Sequence, residues 1–316
     1  MLDPVTSLSE LPRYLHKVAS IFDLDEVLSA GTDLPAIARY YSESSAGYDV
    51  FHSFEGSVHM ALNPDGHFQR SGYQQQALLA YKDLLPRTGD RILELGCGKG
   101  FNLGVLEEFD NTPDYLGIEL TPSHALRARK LLKTARNAHV LVGDFHSLPF
   151  FDRHFAGCFE VESICHAQNM LTVLEEAFRV LRPGARFVIF DGFRATVDAS
   201  AARATPQGIL SDLDLAMQLV EVAMAVPRFW HIDEWIELCR EVGFTVAHKA
   251  DMSASILPNL YRLQVIARAF FKLPRVASLL RKQLRPTLVM NSIAGLLMPF
   301  TVSAGVQAYY HVILER

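Results

Sequence analysis

The chain predicts an α/β fold, a doubly wound and mostly parallel sheet, on three observations. Short apolar runs alternate with stretches of helical periodicity. The first run, Arg91-Ile92-Leu93-Glu94-Leu95, ends in the glycine turn Gly96-Cys97-Gly98-Lys99-Gly100 and leads into a helical pattern from Phe101. Acidic residues recur at the ends of successive runs, at Glu119 and Asp144 after Glu94. A strand, a glycine turn and a helix N-terminus make a nucleotide-sized pocket at the carboxyl end of a parallel sheet, because glycine lets a ligand approach the backbone closely.

Taken in order, the first 85 residues read as a helical cover, punctuated by Pro12, Gly31, Pro35 and Asn63-Pro64-Asp65-Gly66. Strands are expected at Arg91–Leu95, Tyr115–Glu119, His139–Val142, Phe155–Glu162 and Ala185–Asp191. Helices are expected between them near Phe101–Phe109, Pro122–Arg136 and Asn169–Leu181. Leu181-Arg182-Pro183-Gly184 reads as a turn. An alanine-rich stretch then carries a helix near Ile209–Val226. Ile232–Val242 is a further helix, followed by Gly243 and a strand to about Asp251, and Gln307–Leu314 is the final strand. The expected organisation is therefore a Rossmann-like core over 86–251 and 306–316, with an antiparallel last strand. The helical cover over 1–85 and helical lid insertions at 192–228 and 252–305 surround it.

The 316 residues are 49% apolar, enough for a substantial core. The acidic N-terminus lacks a continuous apolar stretch, so no signal peptide is expected. Cys97, Cys158, Cys165 and Cys239 are widely spaced, which disfavours a disulfide framework or zinc site and fits a reducing cytoplasm. The spacing of His52, His59 and His67 likewise matches no common metal site. No Asp or Glu occurs from Met252 to Leu314, while that stretch carries Arg262, Arg268, Lys272, Arg275, Arg281, Lys282 and Arg285. Removing those seven positive charges from the net −5 leaves −12 for the rest. Such asymmetry suggests a partner surface. Peripheral membrane contact and a homodimer are the partners it leaves open, and nucleic acid is not expected.

The ordered set Glu94-Leu95-Gly96-Cys97-Gly98-Lys99-Gly100, Glu119 and Asp144 resembles class I S-adenosylmethionine-dependent methyltransferases, whose first motif commonly reads E-L-G-C-G-x-G. A dinucleotide fingerprint would need its third glycine one residue later. The resemblance implies S-adenosyl-L-methionine as cofactor. Gly96, Gly98 and Gly100 would form the turn beneath its methionine part, and Glu94 would orient the loop or meet the ammonium group. Glu119, with Leu120 beside it, would accept the ribose hydroxyl protons; it also suits the start of a helix electrostatically. Asp144 would accept from the adenine amino group, with Phe145 against the ring.

Glu160-Val161-Glu162-Ser163-Ile164-Cys165-His166-Ala167 resembles the E-A-T-C-H-A signature of sterol C-methyltransferases and the E-S-L-x-H pattern of tocopherol-type methyltransferases. Glu162, His166 and Asp191 are the candidate acid–base groups; His166 equally reads as a residue that only shapes the pocket. Tyr40-Tyr41-Ser42-Glu43-Ser44-Ser45-Ala46-Gly47-Tyr48-Asp49 resembles the Y-D-x-S-S segment of tocopherol methyltransferases. Tyr48, Phe51, Phe54 and His59 would line the substrate pocket, where aromatic faces stabilise a cation or act as a plain hydrophobic lid. Leu260, Leu263, Ala267 and Phe270 share one helical face, opposite Arg268 and Lys272, as in a membrane-surface helix or a lid over an apolar ligand. The resemblance implies methylation of an isoprenoid or sterol-like alkene. O- or N-methylation of a natural product, or non-catalytic binding of cofactor or lipid, remain alternatives.

Overall fold

The computed structural model describes residues 4–47, 53, 56–195, 207–283 and 286–316. Seven strands form one sheet: β1 (Arg91–Leu95), β2 (Asp114–Glu119), β3 (Ala138–Val142), β4 (Phe155–Val161), β5 (Leu181–Arg194), β6 (Thr245–Asp251) and β7 (Gln307–Glu315). Their order is β3-β2-β1-β4-β5-β7-β6. β1 to β5 pair in parallel, and β7 runs antiparallel to both β5 and β6. The architecture is the Rossmann-like class I methyltransferase fold.

Side-chain alternation sorts the strands between two cores. On β5, Val188 and Phe190 pack on one face while Phe187 and Ile189 pack on the other. The second core is closed by helices Met170–Val180 and Ile232–Val242, through Val173, Leu174, Trp235 and Ile236. The first is closed by Gln75–Leu84, Phe101–Phe109 and the covering helices. Asn169 starts Met170–Val180 by accepting from the Thr172 N–H at 3.2 Å, and Gly243 at φ +112° ends Ile232–Val242.

Two elements differ from the sequence-based expectation. The helix from Pro122 ends at Leu131 and tightens into a 3₁₀ turn over Leu132–Thr134. β5 begins at Leu181 rather than Ala185. Leu181 pairs with Phe155 and Arg186 with Gly157, so Leu181-Arg182-Pro183-Gly184 bulges out of a continuing strand. Gly184 there takes φ +77° and its N–H donates to the Arg316 carbonyl at 2.8 Å, an anchor supplied by the far end of the chain.

The acid-free segment folds into helices Ser253–Phe270, Pro274–Gln283 and Pro286–Ser303. With Leu11–Ala19, Leu34–Gly47 and Gln207–Ala223 they pack together as the cover. Leu260 and Ala267 are buried, and Leu263 and Phe270 pack on the core beside them. No helix among the described residues is long and apolar enough to cross a membrane.

Candidate active site

The strand order reverses between β1 and β4, and the crevice outside their carboxyl ends is where open α/β sheets bind ligands. Both motif segments lie there. Gly96 and Gly98 take φ +67° and +53°. A Cβ on Gly96 would sit 2.5 Å from Ser163 Cβ, so the loops after β1 and β4 touch only because residue 96 has no side chain. Gly100, at φ +81°, is the N-cap of Phe101–Phe109, and a Cβ there would meet Ala128 Cβ at 2.9 Å. Its use is helix packing.

One cavity, enclosing about 630 Å³, is lined by Gly96, Gly98, Glu119, Leu120, Asp144 and Phe145 among others. Glu119 closes the glycine turn: one carboxylate oxygen accepts from Gly98 N–H at 2.9 Å and the other from Thr121 N–H at 2.7 Å. Each oxygen keeps a lone pair for a further donor. Asp144 Oδ1 accepts from the backbone N–H and the ring Nδ1 of His146 at 2.9 and 2.6 Å. His146 Nε2 accepts from Gln168 N–H at 3.1 Å, which sets the tautomer and holds Asp144 in place. Leu120 belongs to a small apolar cluster with Ile37, Tyr40 and Tyr41.

Glu94 lies behind the turn and does not line this cavity. Its Oε1 accepts from Asn102 Nδ2 at 2.8 Å, while Oε2 is buried with no partner. Burial, offset in part by Asn102, raises its pKa to about 8. His59 is also behind the turn, contrary to its expected place in the substrate pocket. Its ring nitrogens sit 3.0 Å from the Met60 carbonyl and 3.1 Å from Asn102 Oδ1, with Tyr73 and Phe101 around the ring. It fastens the segment before the core to the first helix of the core. Tyr48, Phe51 and Phe54 lie outside the described residues.

A second cavity, of about 540 Å³, has a largely apolar wall that includes Met60, Met224, Phe229, Ile256, Met298 and Val302. Tyr41, Val58, Glu162 and His166 line both cavities, so the two meet at those four side chains. Glu162 is held in the left-handed region at φ +53°, an uncommon conformation for a non-glycine residue. Its N–H donates to the Phe190 carbonyl at 2.8 Å, and its Oε1 accepts from Met60 N–H at 2.7 Å. Burial raises its pKa to about 8, against the Met60 N–H and the Tyr309 hydroxyl, which favour the charged form.

Asp191 lines the second cavity, with Oδ2 accepting from Cys165 N–H and Oδ1 from Gly192 N–H at 2.8 and 2.7 Å. Burial takes its pKa to about 7. Beneath it, Glu160 is fully buried. Its Oε2 accepts from Ser163 N–H and Ser163 Oγ–H at 2.9 and 3.0 Å, and so builds the turn that presents Glu162. Burial and repulsion from Asp191 push Glu160 well above the carboxylate range.

His166 is fixed as a neutral ring. Nδ1 lies 3.1 Å from the Ala225 carbonyl, which can only accept, so Nδ1 carries the proton. Nε2 therefore accepts from the Tyr41 hydroxyl at 2.7 Å. Burial lowers its pKa to about 4. With both nitrogens engaged, His166 positions the covering helix Leu34–Gly47 and shapes the junction.

Glu160, Tyr41 and Tyr309 escaped sequence reasoning as site residues. Glu160 stands in the quoted segment, two positions from Glu162 on the same strand, which was a usable signal. Tyr41 and Tyr309 reach the junction only through tertiary packing.

The donor set fits S-adenosyl-L-methionine. Glu94, Glu119, Glu160 and Asp191 are buried and Glu162 is half-buried, and none of them forms an ion pair with Lys or Arg among the described residues. Such a site suits a ligand bearing sulfonium and ammonium charge. Among the described residues no cluster of His, Cys, Asp and Glu could hold a metal ion.

Residues 93–189 match the family model described as a methyltransferase domain. A 24-methylenesterol C-methyltransferase 2 of Oryza sativa subsp. japonica is 31% identical over 208 residues, covering 63% of this chain and 54% of the relative. The chain thus spans about half the length of the curated relatives it first matches. A mycolic acid cyclopropane synthase structure covers 91% of this chain and 99% of its own at TM-score 0.75 and 14% identity. A geranyl diphosphate methyltransferase structure covers 90% and 99% at TM-score 0.64 and 14% identity; both share the fold. On this motif set and these similarities, residues 93–189 form a methyltransferase domain of the S-adenosylmethionine-dependent class I fold, similar to that of the sterol C-methyltransferases, with S-adenosyl-L-methionine as its cofactor.

Proposed function

We infer that the protein methylates a hydrophobic small molecule at carbon, on an isoprenoid or sterol-like alkene. The observation that carries this reading is the junction: the cofactor cavity and the apolar cavity meet at Glu162, a desolvated carboxylate. In this reading Gly96, Gly98, Glu119, Leu120, Asp144 and Phe145 hold the cofactor. Glu94 and Gly100 shape the turn. The helical segments within 1–85, 192–228 and 252–305 roof the substrate.

The cofactor supplies an electrophilic methyl group whose departure leaves a neutral thioether. An alkene carbon that accepted this methyl group would leave positive charge on the neighbouring substrate carbon. Tyr40, Tyr41, Phe229 and Tyr309 surround the cavity, and aromatic faces stabilise a cation there. Glu162, ionised, then takes a proton from the adjoining carbon, which restores a double bond and leaves a neutral acid. Asp191 keeps a second carboxylate facing the same cavity.

Glu162 and Asp191 also bear on substrate charge. The described residues lining the cavity include these two acids and no Lys or Arg, so a phosphorylated head group meets repulsion. The relative's methylenesterol is uncharged, and that chemistry fits better than a diphosphate. For O- or N-methylation the base would be His166 or Asp191; both nitrogens of His166 are already engaged, which leaves Asp191 for that role.

The test is a mass-shift screen with isotope-labelled cofactor against sterols, prenyl alcohols, prenyl diphosphates, amines and phenols. Labelled methyl on carbon of an uncharged alkene is the expected product. Transfer confined to phenols or amines would overturn the C-methylation reading.

A further inference from the structure

The helix Leu11–Ala19 and the helices Ser253–Phe270 and Pro274–Gln283 meet at a corner of the cover. Phe22 and Phe271 join them, with ring centroids 6.2 Å apart. Arg268 approaches Lys17 there, and Lys272 and Arg275 follow on the chain just beyond Phe271. Burial, and then repulsion from Arg13 and Arg268, keep the Lys17 ammonium below its usual range, against attraction from Glu10. The fold thus holds Lys17 beside Arg13 and Arg268 despite their repulsion.

Glu10, Asp23 and Glu26 have other partners. Glu10 pairs with Arg13 at 2.9 Å and Glu26 with Arg281 at 3.0 Å. Asp23 accepts from the N–H groups of Asp25 and Glu26 at 3.0 and 3.2 Å. Arg281 is further used by the Ile21 carbonyl and lies over the Phe22 ring. Lys272 and Arg275 are exposed, and beside them Leu273 and Leu279 are 60% and 59% exposed.

Cations flanking exposed leucines on a short surface helix match the two halves of a lipid interface, phosphate above and acyl chain below. A nucleic acid would use the cations and leave the leucines in water. One helix links the corner to the apolar cavity: Ser253–Phe270 lines that cavity through Ile256 near its start and reaches the corner at its end, about 20 Å away.

We propose that this corner docks on an anionic phospholipid bilayer, with Leu273 and Leu279 entering the interface and the exposed Lys272 and Arg275 pairing with lipid phosphates. The docking is independent of the methyl-transfer reading.

The experiment is co-sedimentation of the full chain with phosphatidylcholine vesicles, with and without phosphatidylglycerol, at low and raised salt. Binding only to the anionic vesicles, weakening with salt, is expected. Neutralising Lys272→Gln and Arg275→Gln together should lower the partition coefficient about 10- to 30-fold, as for two charges at a membrane surface. Leu273→Ser with Leu279→Ser should lower it about tenfold at unchanged charge, as for partial loss of two buried apolar side chains. Matching thermal melts will show that the variants fold. A wild-type chain that stays in the supernatant at low salt overturns the proposal. So does vesicle binding that neither pair of substitutions alters, or capture by a DNA duplex in preference to vesicles.

Discussion

Replacing Glu162 by Gln perturbs a single proton in a known place. The carboxyl titrates near 8 in the folded protein, against an ordinary value of 4.5. Between those values the folded state holds a proton that the unfolded chain has released. The stabilisation from this group is therefore complete below about pH 4.5 and is lost as pH rises through about 8. At about 1.4 kcal/mol per tenfold change in proton affinity, the difference amounts to about 3–5 kcal/mol. Glutamine keeps the shape and the acceptor for Met60 N–H but has nothing to titrate. Wild type and variant should be nearly equally stable at about pH 5, and the variant should gain by those few kcal/mol towards about pH 9. Glu94, also raised, tilts both proteins in the same direction and cancels in the difference, whereas repulsion from Asp191 is part of what raises Glu162. Urea denaturation across that range measures the gap without any substrate. In turnover, the same variant should lose about 10²–10⁴-fold while keeping its affinity for the cofactor, as for a general base. Parallel loss of stability in the two proteins with rising pH would refute the argument that Glu162 is held neutral by burial. Full activity of the variant on its true substrate would remove it as the proton acceptor.

Glu119→Ala removes the acceptor for Gly98 and Thr121 and should weaken binding of the cofactor or its demethylated product by about 1–3 kcal/mol in calorimetry; unchanged affinity would place the ribose elsewhere. Gly96→Ala puts a Cβ 2.5 Å from Ser163 Cβ at a positive φ, so it should cost about 1–3 kcal/mol by denaturant unfolding and abolish cofactor binding, whereas a silent substitution would mean the two loops do not touch. Tyr309→Phe removes a hydroxyl that favours the charged form of Glu162. The acid limb of kcat/KM, rising with pH near about 8 in the wild type, should then move to higher pH; a limb that stays put, or moves down, would remove Tyr309 as its partner.

What the sequence settled by itself was the part governed by local rules. Strands and helices alternate, glycines occur where the chain must turn with positive φ, and acids stand at the ends of β1, β2, β3 and β4, so the fold, and the grouping of Gly96, Gly98, Glu119 and Asp144 around one cavity, were legible in the sequence. Ile232–Val242 was placed to the residue because its apolar periodicity and terminal glycine agree. The rest depended on contacts between residues far apart in the chain. β5 starts early because Gly184 finds the Arg316 carbonyl. His59 sits behind the turn because Asn102 and Met60 hold it there. His166 loses its basicity to burial, with Ala225 and Tyr41 fixing its ring. Which of several acids and histidines retains a usable proton depends on burial and on its partners, and both are properties of the packed molecule alone.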